Sequence, residues 1–467
     1  MSATTSAPRE RILSPTYAAT TVAMFGLIAF VAFEAMAVAT VMPTVARDLD
    51  GLGLYALAFA APLASGVVGM VAAGTWSDRT GPVVPLLASM ALFSAGLLVC
   101  GLAPSMEVLL AGRVLQGLGG GALTVGLYVI VGLVYPPALR PAVFASFAAA
   151  WVLPALFGPG LAALVADVWS WRWVFLGAVA LVVVALAMLA PALRGLEPHA
   201  EGTATPRSRL WWAVLGAVAV LVLELLGSAT GTTALGALLA LALVWVALGR
   251  LLPPGTRRAA RGLPAVVATR GLLSAVFFCA EAYIVYVLQD HWDLGPGRAG
   301  IALTCVGVVW ATASQVQSRL GERVSHPRAM LVGTSLVLVG IGCLAATVLL
   351  VDAGARPSAL LPGAAYVLAG AGMGFAYPRT GVAMLEASSD RDRGFNSSAL
   401  SVADSLGAAL ALSLAGAVFA VTERTEADPF LAVFTMAAAT GVLGVVAASR
   451  TGVRALNDER PAGPTGV

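Results

Sequence analysis

Residues 83–103 read VVPLLASMALFSAGLLVCGLA, an apolar run without a single charge. About 20 such residues in a helix cover the hydrocarbon core of a bilayer. Working outward from this run, similar windows fall at 18–42, 53–74, 107–133, 141–165, 173–193, 210–228, 231–249, 264–289, 299–317, 329–351, 359–378, 397–421 and 430–449. Together they predict fourteen transmembrane helices. The first window is too long for a signal-peptide core, and further windows follow it at once, so it reads as a span. Composition agrees: 59% of residues are hydrophobic and 11% charged, where a soluble chain carries roughly 25% charged residues. The 51 glycines suit a crowded bundle, because small residues let helices approach closely. No polar stretch is long enough to surround a soluble core.

Every one of the 27 basic residues is Arg, and their placement orients the chain. With fourteen spans, twenty fall on the side that holds both termini. Five (Arg47, Arg172, Arg298, Arg356 and Arg424) fall opposite, and Arg113 and Arg270 lie inside spans. The positive-inside rule then puts both termini in the cytoplasm. Removing one of the spans at 210–249 would invert all later loops. Removing both would keep parity, so charge alone does not separate twelve spans from fourteen. The length and apolarity of both segments favour fourteen. The expected organisation is a six-helix bundle over 1–193 with a cytoplasmic tail, linkers and an inserted two-helix hairpin over 194–263, a second six-helix bundle over 264–452, and a cytoplasmic tail over 453–467. The fold class expected is all-α membrane protein. The linkers 194–209 and 250–263 are rich in Arg, Gly and Pro, and the tails at 1–12 and 453–467 read as disordered.

Several chemistries drop out. Without Lys there is no P-loop, whose phosphate chemistry needs that residue. Cys100, Cys279, Cys305 and Cys343 are isolated in apolar segments. His199, His291 and His326 fall in expected loops, with no metal-ligand spacing. No cofactor, metal or nucleic-acid partner is expected, and the chain reads as a monomer. The sequon at Asn396 lies on the expected cytoplasmic side, away from glycosylation.

Gly74-Thr-Trp-Ser-Asp78-Arg79-Thr-Gly81-Pro82 follows the second span. Its glycines permit a tight turn, and Asp78 and Arg79 place opposite charges beside helix ends. This spacing resembles the signature loop of the major facilitator superfamily. It departs from that pattern where the chain continues Pro82-Val-Val instead of with basic residues. Inside the fourth span, Arg113 and Gln116 share a helix face, and a buried Arg needs a carboxylate or a cavity. The run Arg113-Val-Leu-Gln116-Gly117 is similar to the family's helix 4 pattern, which implies a role in proton coupling. Glu34, nine residues before Pro43, resembles the acidic residue of the fourteen-helix bacterial drug:proton antiporters. Glu34 lies about 13 Å from the outer end of its span and Arg113 about 10 Å from the same side. The two are therefore expected to form an ion pair or share a cavity. In the fifth span, Pro154-Ala-Leu-Phe-Gly158-Pro159-Gly160 should bend the helix. It resembles the Gly-Pro element of family antiporters, with Ala replacing the upstream glycines. The tryptophans at 169–173 suit an outer interfacial belt.

The second half carries Arg270 and Glu281 on one span, Tyr283 and Tyr286 as aromatic contacts for substrate, and a polar stripe of Ser397, Ser401, Asp404 and Ser405. Glu281 and Asp404 join Glu34 and Arg113 as proton-coupling candidates. Asp404 reads equally as a cation or proton site and as a hydrogen-bonding residue. Gln116, Arg270, Tyr283, Tyr286 and Ser401 are the candidate cavity residues. Glu224 has no obvious partner in the hairpin. The resemblance implies a proton-driven exporter of hydrophobic or amphiphilic molecules in a bacterial cytoplasmic membrane, working by alternating access. A lipid or glycolipid translocator on the same fold, and a membrane enzyme acting on lipid, remain as alternatives.

Overall fold

The computed structural model describes residues 11–51, 54–193, 208–226, 232–294 and 296–452, all of whose regular elements are helices. The tails and linker beyond these, with His199 and the turn 227–231, lie outside the described residues, as do the side chains of Pro159 and Glu224. The first half comprises α1 (Ala18–Asp48), α2 (Tyr55–Thr80), α3 (Val83–Gly101), α4 (Met106–Val134), α5 (Arg140–Ala149), α6 (Val152–Val168) and α7 (Arg172–Leu193). Then come α8 (Ser208–Leu225) and α9 (Thr232–Leu251). The second half comprises α10 (Leu263–Trp292), α11 (Pro296–Leu320), α12 (His326–Asp352), α13 (Leu360–Glu386), α14 (Arg393–Thr422) and α15 (Pro429–Ser449).

Twelve helical stretches among the described residues are long and apolar enough to cross a membrane, with α5 and the start of α6 making one of them. The apolar parts of α8 and α9, Ser208–Leu223 and Leu235–Leu251, are shorter. The sequence expectation counts that pair as two further spans. In the structure they pack on each other, and α8 packs on α2.

Three differences from the sequence reading have a common cause in proline chemistry. Pro154 has no N–H to return to the carbonyl of Ala150, and the fifth span breaks at Ala150–Trp151 into α5 and α6. α13 instead runs through Pro378 to Glu386, eight residues beyond the apolar window. There the carbonyl that Pro378 leaves free, that of Gly374, accepts a hydrogen bond from the Ser314 hydroxyl at 3.1 Å. Re-satisfying such a carbonyl is what lets proline persist in a membrane helix. α1 likewise continues past Pro43 to Asp48.

Helix ends from both halves gather on one face. The Tyr135 hydroxyl after α4 lies 2.8 Å from Thr21 at the start of α1. Gly262 before α10 donates to the carbonyl of Arg450 after α15 at 3.1 Å. We call this the terminus face. Packing there differs from packing opposite. Val266 and Val267 on α10, Val382 and Leu385 on α13, and Leu400 and Leu406 on α14 belong to the same core as the first half. Phe277 and Ile284 farther along α10, with Ile341 on α12, Tyr366 on α13 and Phe434 on α15, form a separate core confined to the second half. The halves are thus fused at the terminus face and have separate interiors toward the other.

Candidate functional site

The first cluster lies within the first half. Arg113 on α4 meets Glu34 on α1, with Nη1 to Oε1 at 2.6 Å, and both side chains are more than nine-tenths buried. The same nitrogen donates to Gln116 Oε1 at 2.8 Å, one turn along α4. Arg113 Nε donates to the carbonyl of Ala58 at 2.9 Å. That carbonyl is available because Pro62, four residues on within α2, has no N–H to claim it. A backbone defect in α2 therefore aims the guanidinium. Gln116 Nε2 is buried without a hydrogen-bond partner, a free donor beside the pair. Gly158 on α6 faces Phe33 and Met36, so the Pro154–Pro159 segment seats α6 against the turn of α1 that carries Glu34.

The second cluster joins the halves. Arg270 on α10, 2% exposed, pairs with Asp404 on α14 at 2.9 Å. Arg270 also donates to the Tyr377 carbonyl at 3.2 Å, the Thr380 hydroxyl at 3.0 Å and the Tyr128 hydroxyl at 3.0 Å. Its guanidinium lies 3.2 Å from the centroid of the Tyr377 ring. Asp404 in turn accepts from the Tyr377 hydroxyl at 2.7 Å and from Ser274. Tyr128 belongs to α4, so this network crosses from the second half to the first. Asp404 is thus a hydrogen-bonded ion-pair partner.

The remaining candidates scatter. Glu281 does not meet Arg270, although they share a helix. Its polar neighbour is the buried Tyr366 hydroxyl. Tyr283 and Tyr286 stack into an aromatic group with Phe419 and Phe430 away from the terminus face. Ser401 is buried, and its hydroxyl has no hydrogen-bond partner.

A third cluster closes the terminus face. Asp78 at the end of α2 accepts the backbone N–H groups of Gly394 and Phe395 at 2.7 and 2.8 Å. A carboxylate at a helix N-terminus satisfies donors that have no partner within the helix, and here the helix is α14 of the opposite half. Gly74 and Gly394 make this approach possible: a Cβ on Gly74 would stand 2.6 Å from the Gly394 carbonyl. Gly81 ends α2 with φ of 78°, the left-handed region that glycine enters freely. Arg79 is exposed at the same end.

Sequence reasoning missed Tyr128, Ser274, Tyr377 and Thr380 of the second cluster, and two arginines besides. Arg209, near the start of α8, stacks its guanidinium 3.8 Å from the centroid of the Phe395 ring and interacts electrostatically with Asp78 and Asp392. Arg379, assigned by sequence to a loop, is buried inside α13. It donates to the Gln317 side chain at 2.5 Å and to the carbonyls of Gln317 and Gly321 at 2.8 and 3.1 Å, at the end of α11. The signal for Arg379 was its place directly after Pro378, where apolar counting stops but the helix does not. Arg209 offered no signal, because its partner is 186 positions away in sequence.

Comparison with known proteins adds an independent line. A sequence model described as Major Facilitator Superfamily matches residues 24–289. A probable multidrug-efflux transporter of Mycobacterium tuberculosis is 27% identical over 453 residues, covering 93% of this chain and 95% of that protein. The multidrug efflux pump SdrM of Staphylococcus aureus is 22% identical over 410 residues, covering 86% and 90%. Among solved structures, the human organic anion transporter MFSD10 superposes with a TM-score of 0.68 at 15% identity, covering 93% of this chain and all of that one. The proton:xylose symporter XylE gives 0.64 at 14% identity, covering 92% and 94%. At these identities the structural matches speak for the fold alone.

Proposed function

The chain belongs to the Major Facilitator Superfamily and is a multi-pass membrane transporter rather than an enzyme, and on that footing we propose that it is a proton-coupled exporter of hydrophobic or amphiphilic small molecules. The relatives named as multidrug efflux proteins support the cargo class. The observation that carries the coupling is the buried Glu34–Arg113 pair with the unpartnered Gln116 amide beside it.

A proton on Glu34 removes the charge that compensates Arg113. Uncompensating one member of a buried pair costs about 3–5 kcal/mol. One elementary charge moving through about 150 mV releases about 3.5 kcal/mol. The two are of the same size, so a single protonation is enough to change which conformation is favoured. Gln116 supplies a hydrogen bond to substrate within reach of the titrating group, so that loading and protonation compete for one site. The Arg270–Asp404 network serves as the corresponding polar centre of the second half. Glu281 is a further proton site, and Tyr283 and Tyr286 line the path of an aromatic or apolar substrate. Ser401 offers a polar contact from α14.

The reading has fourteen spans, with α8 and α9 as a transmembrane hairpin between two six-helix bundles. Both termini face the cytoplasm of a bacterial cell, following the arginine asymmetry. The unit is a monomer. Exchange is then expected to stop in Glu34→Gln. Inverted vesicles carrying this variant should show no gradient-driven uptake while the purified protein keeps its wild-type elution profile. Normal coupled uptake would remove Glu34 from the mechanism. For the hairpin, Ala229→Cys should react with an impermeant maleimide added outside; labelling only from the cytoplasm would reject fourteen spans.

A further inference from the structure

The pair α8 and α9 ends in a feature outside the three clusters described above. At the foot of α9 a cavity of about 590 Å³ is lined by Trp245, Leu248, Gly249, Pro253, Arg257 and Arg258, among others. Four arginines, Arg250, Arg257, Arg258 and Arg261, fall within residues 250–261, and no Asp or Glu occurs between 241 and 263. Arg257, Arg258 and Arg261 are exposed. The Arg257 guanidinium lies over Gly249 beside Trp245: it is 5.7 Å from the Trp245 ring centroid, and a Cβ on Gly249 would come within 2.6 Å of its central carbon. Gly249 is thus the floor on which Arg257 rests. The loop itself is fixed by Gly255 and Ala259, both with left-handed φ of 90° and 45°. It is tied to the second half where Arg450 donates to the carbonyl of Arg258 at 3.0 Å.

Above this cradle runs an exposed apolar stripe on one face of α9. Leu235, Leu238 and Leu239 are 62–64% exposed, and Trp245 and Val246 follow at 54% and 43%. The spacing of three and four keeps these residues on one side of the helix, and the stripe descends directly onto Gly249 and Arg257. A surface that is apolar along the helix and cationic at its foot matches an anionic phospholipid, with acyl chains along the stripe and phosphate among the arginines. Tryptophan at the junction of apolar and polar zones suits the same depth.

We propose that this cavity is a binding site for the headgroup of an anionic phospholipid, with Arg257 and Arg258 as its phosphate ligands and Gly249 and Trp245 as the seat of Arg257. The proposal rests on α8 and α9 lying in the bilayer with their linkers at the cytoplasmic surface. It gives the hairpin a task separate from the transport path.

The test is retention of phosphatidylglycerol against phosphatidylcholine by the full chain, read by native mass spectrometry from mixed nanodiscs. Wild-type protein should retain phosphatidylglycerol selectively. Arg257→Ala and Arg258→Ala should each weaken retention about fivefold, and Arg356→Ala, on the opposite face, should leave it unchanged. Gly249→Leu should weaken it without altering charge, by displacing Arg257; thermal melting checks that this variant still folds. Equal retention of the two lipids by wild type, or selectivity unaffected by all three cavity variants, would overturn the site. Equal competition by inorganic phosphate would mark a free-anion site and also overturn the lipid assignment. Labelling of Ala229→Cys solely from the cytoplasm would instead fault the spanning hairpin, a failure distinguishable from loss of lipid selectivity.

Discussion

At the residue scale, the site is organised by prolines as much as by charges. Pro62 frees the Ala58 carbonyl that Arg113 takes, and Pro378 frees the Gly374 carbonyl that Ser314 takes. Pro62→Ala would restore an N–H that competes for Ala58. A hydrogen bond to a charged group is worth about 1.5–3 kcal/mol, so coupled transport should fall about tenfold while thermal stability holds or rises. Unchanged proton-coupled flux in reconstituted Pro62→Ala would show that Arg113 needs no such anchor. Asp404→Asn tests the other pair. It leaves Arg270 buried without its counter-charge, a loss toward the low end of about 3–5 kcal/mol because Asp404 keeps some exposure. A marked drop in melting temperature is expected, and an unchanged melting temperature would mean that Tyr128, Tyr377 and Thr380 suffice for Arg270. Glu34 and Arg113 were legible in the sequence because a charge inside an apolar window stands out and depth arithmetic matches two such charges. Arg270 and Asp404 were visible singly but not as a pair. Glu281 lay on the same helix as Arg270, and only packing of α10 on α14 selects between the acids.

At the element scale, the helices were legible almost everywhere and their ends were not. Apolar windows register hydrophobic thickness, whereas a helix ends where its hydrogen bonds end. α13 outruns its window because Ser314 repairs it, and the fifth span breaks because no described hydrogen bond satisfies Ala150 in the same way. The latch between α2 and α14 was half legible. The turn from Gly74 to Gly81 announced a helix-end contact without saying that the N-terminus of α14 receives it. Arg209 ties α8 into that latch by stacking on Phe395. A cation–π contact contributes about 0.5–2 kcal/mol. Arg209→Ala should therefore raise the population open at the terminus face several-fold, with Arg209→Lys retaining part of the effect. Gly394→Ala should act in the same direction more strongly, because its Cβ would collide with Gly74 and Asp78, whereas Gly177→Ala, with open space around it, is a control. Spin labels at the exposed positions Thr80 and Ser389 read this as a longer distance. An unchanged distance distribution in both Arg209→Ala and Gly394→Ala would remove the hairpin and the glycine contact from the latch.

At the scale of the whole molecule, several of the described hydrogen bonds joining the halves share a location. Asp78 to Gly394 and Phe395, Gln315 to the Ala145 carbonyl, and Arg270 to Tyr128 all lie in the terminus-side portions of their helices. Rocking the halves apart on this face must break them together. At about 1 kcal/mol net for each hydrogen bond, the set holds the face with a few kcal/mol. That is comparable to the roughly 3.5 kcal/mol carried by one charge through about 150 mV. Under the proposed proton coupling, a closure of this strength is reversible by the gradient, and a closure several times stronger would lock the transporter. Tyr128→Phe removes the bond in this set that reaches the buried Arg270 guanidinium. It should open the terminus face about tenfold more often, lengthening the Thr80–Ser389 distance. The opposite face should close in step, so labels at the exposed positions Leu102 and Asp352 should draw together. If the first distance lengthens while the second stays fixed, the halves do not move as rigid bodies and the closure is local to α2 and α14. If neither changes, Arg270 holds Asp404 and Tyr377 for stability alone, and the Asp78 latch carries the closure without it.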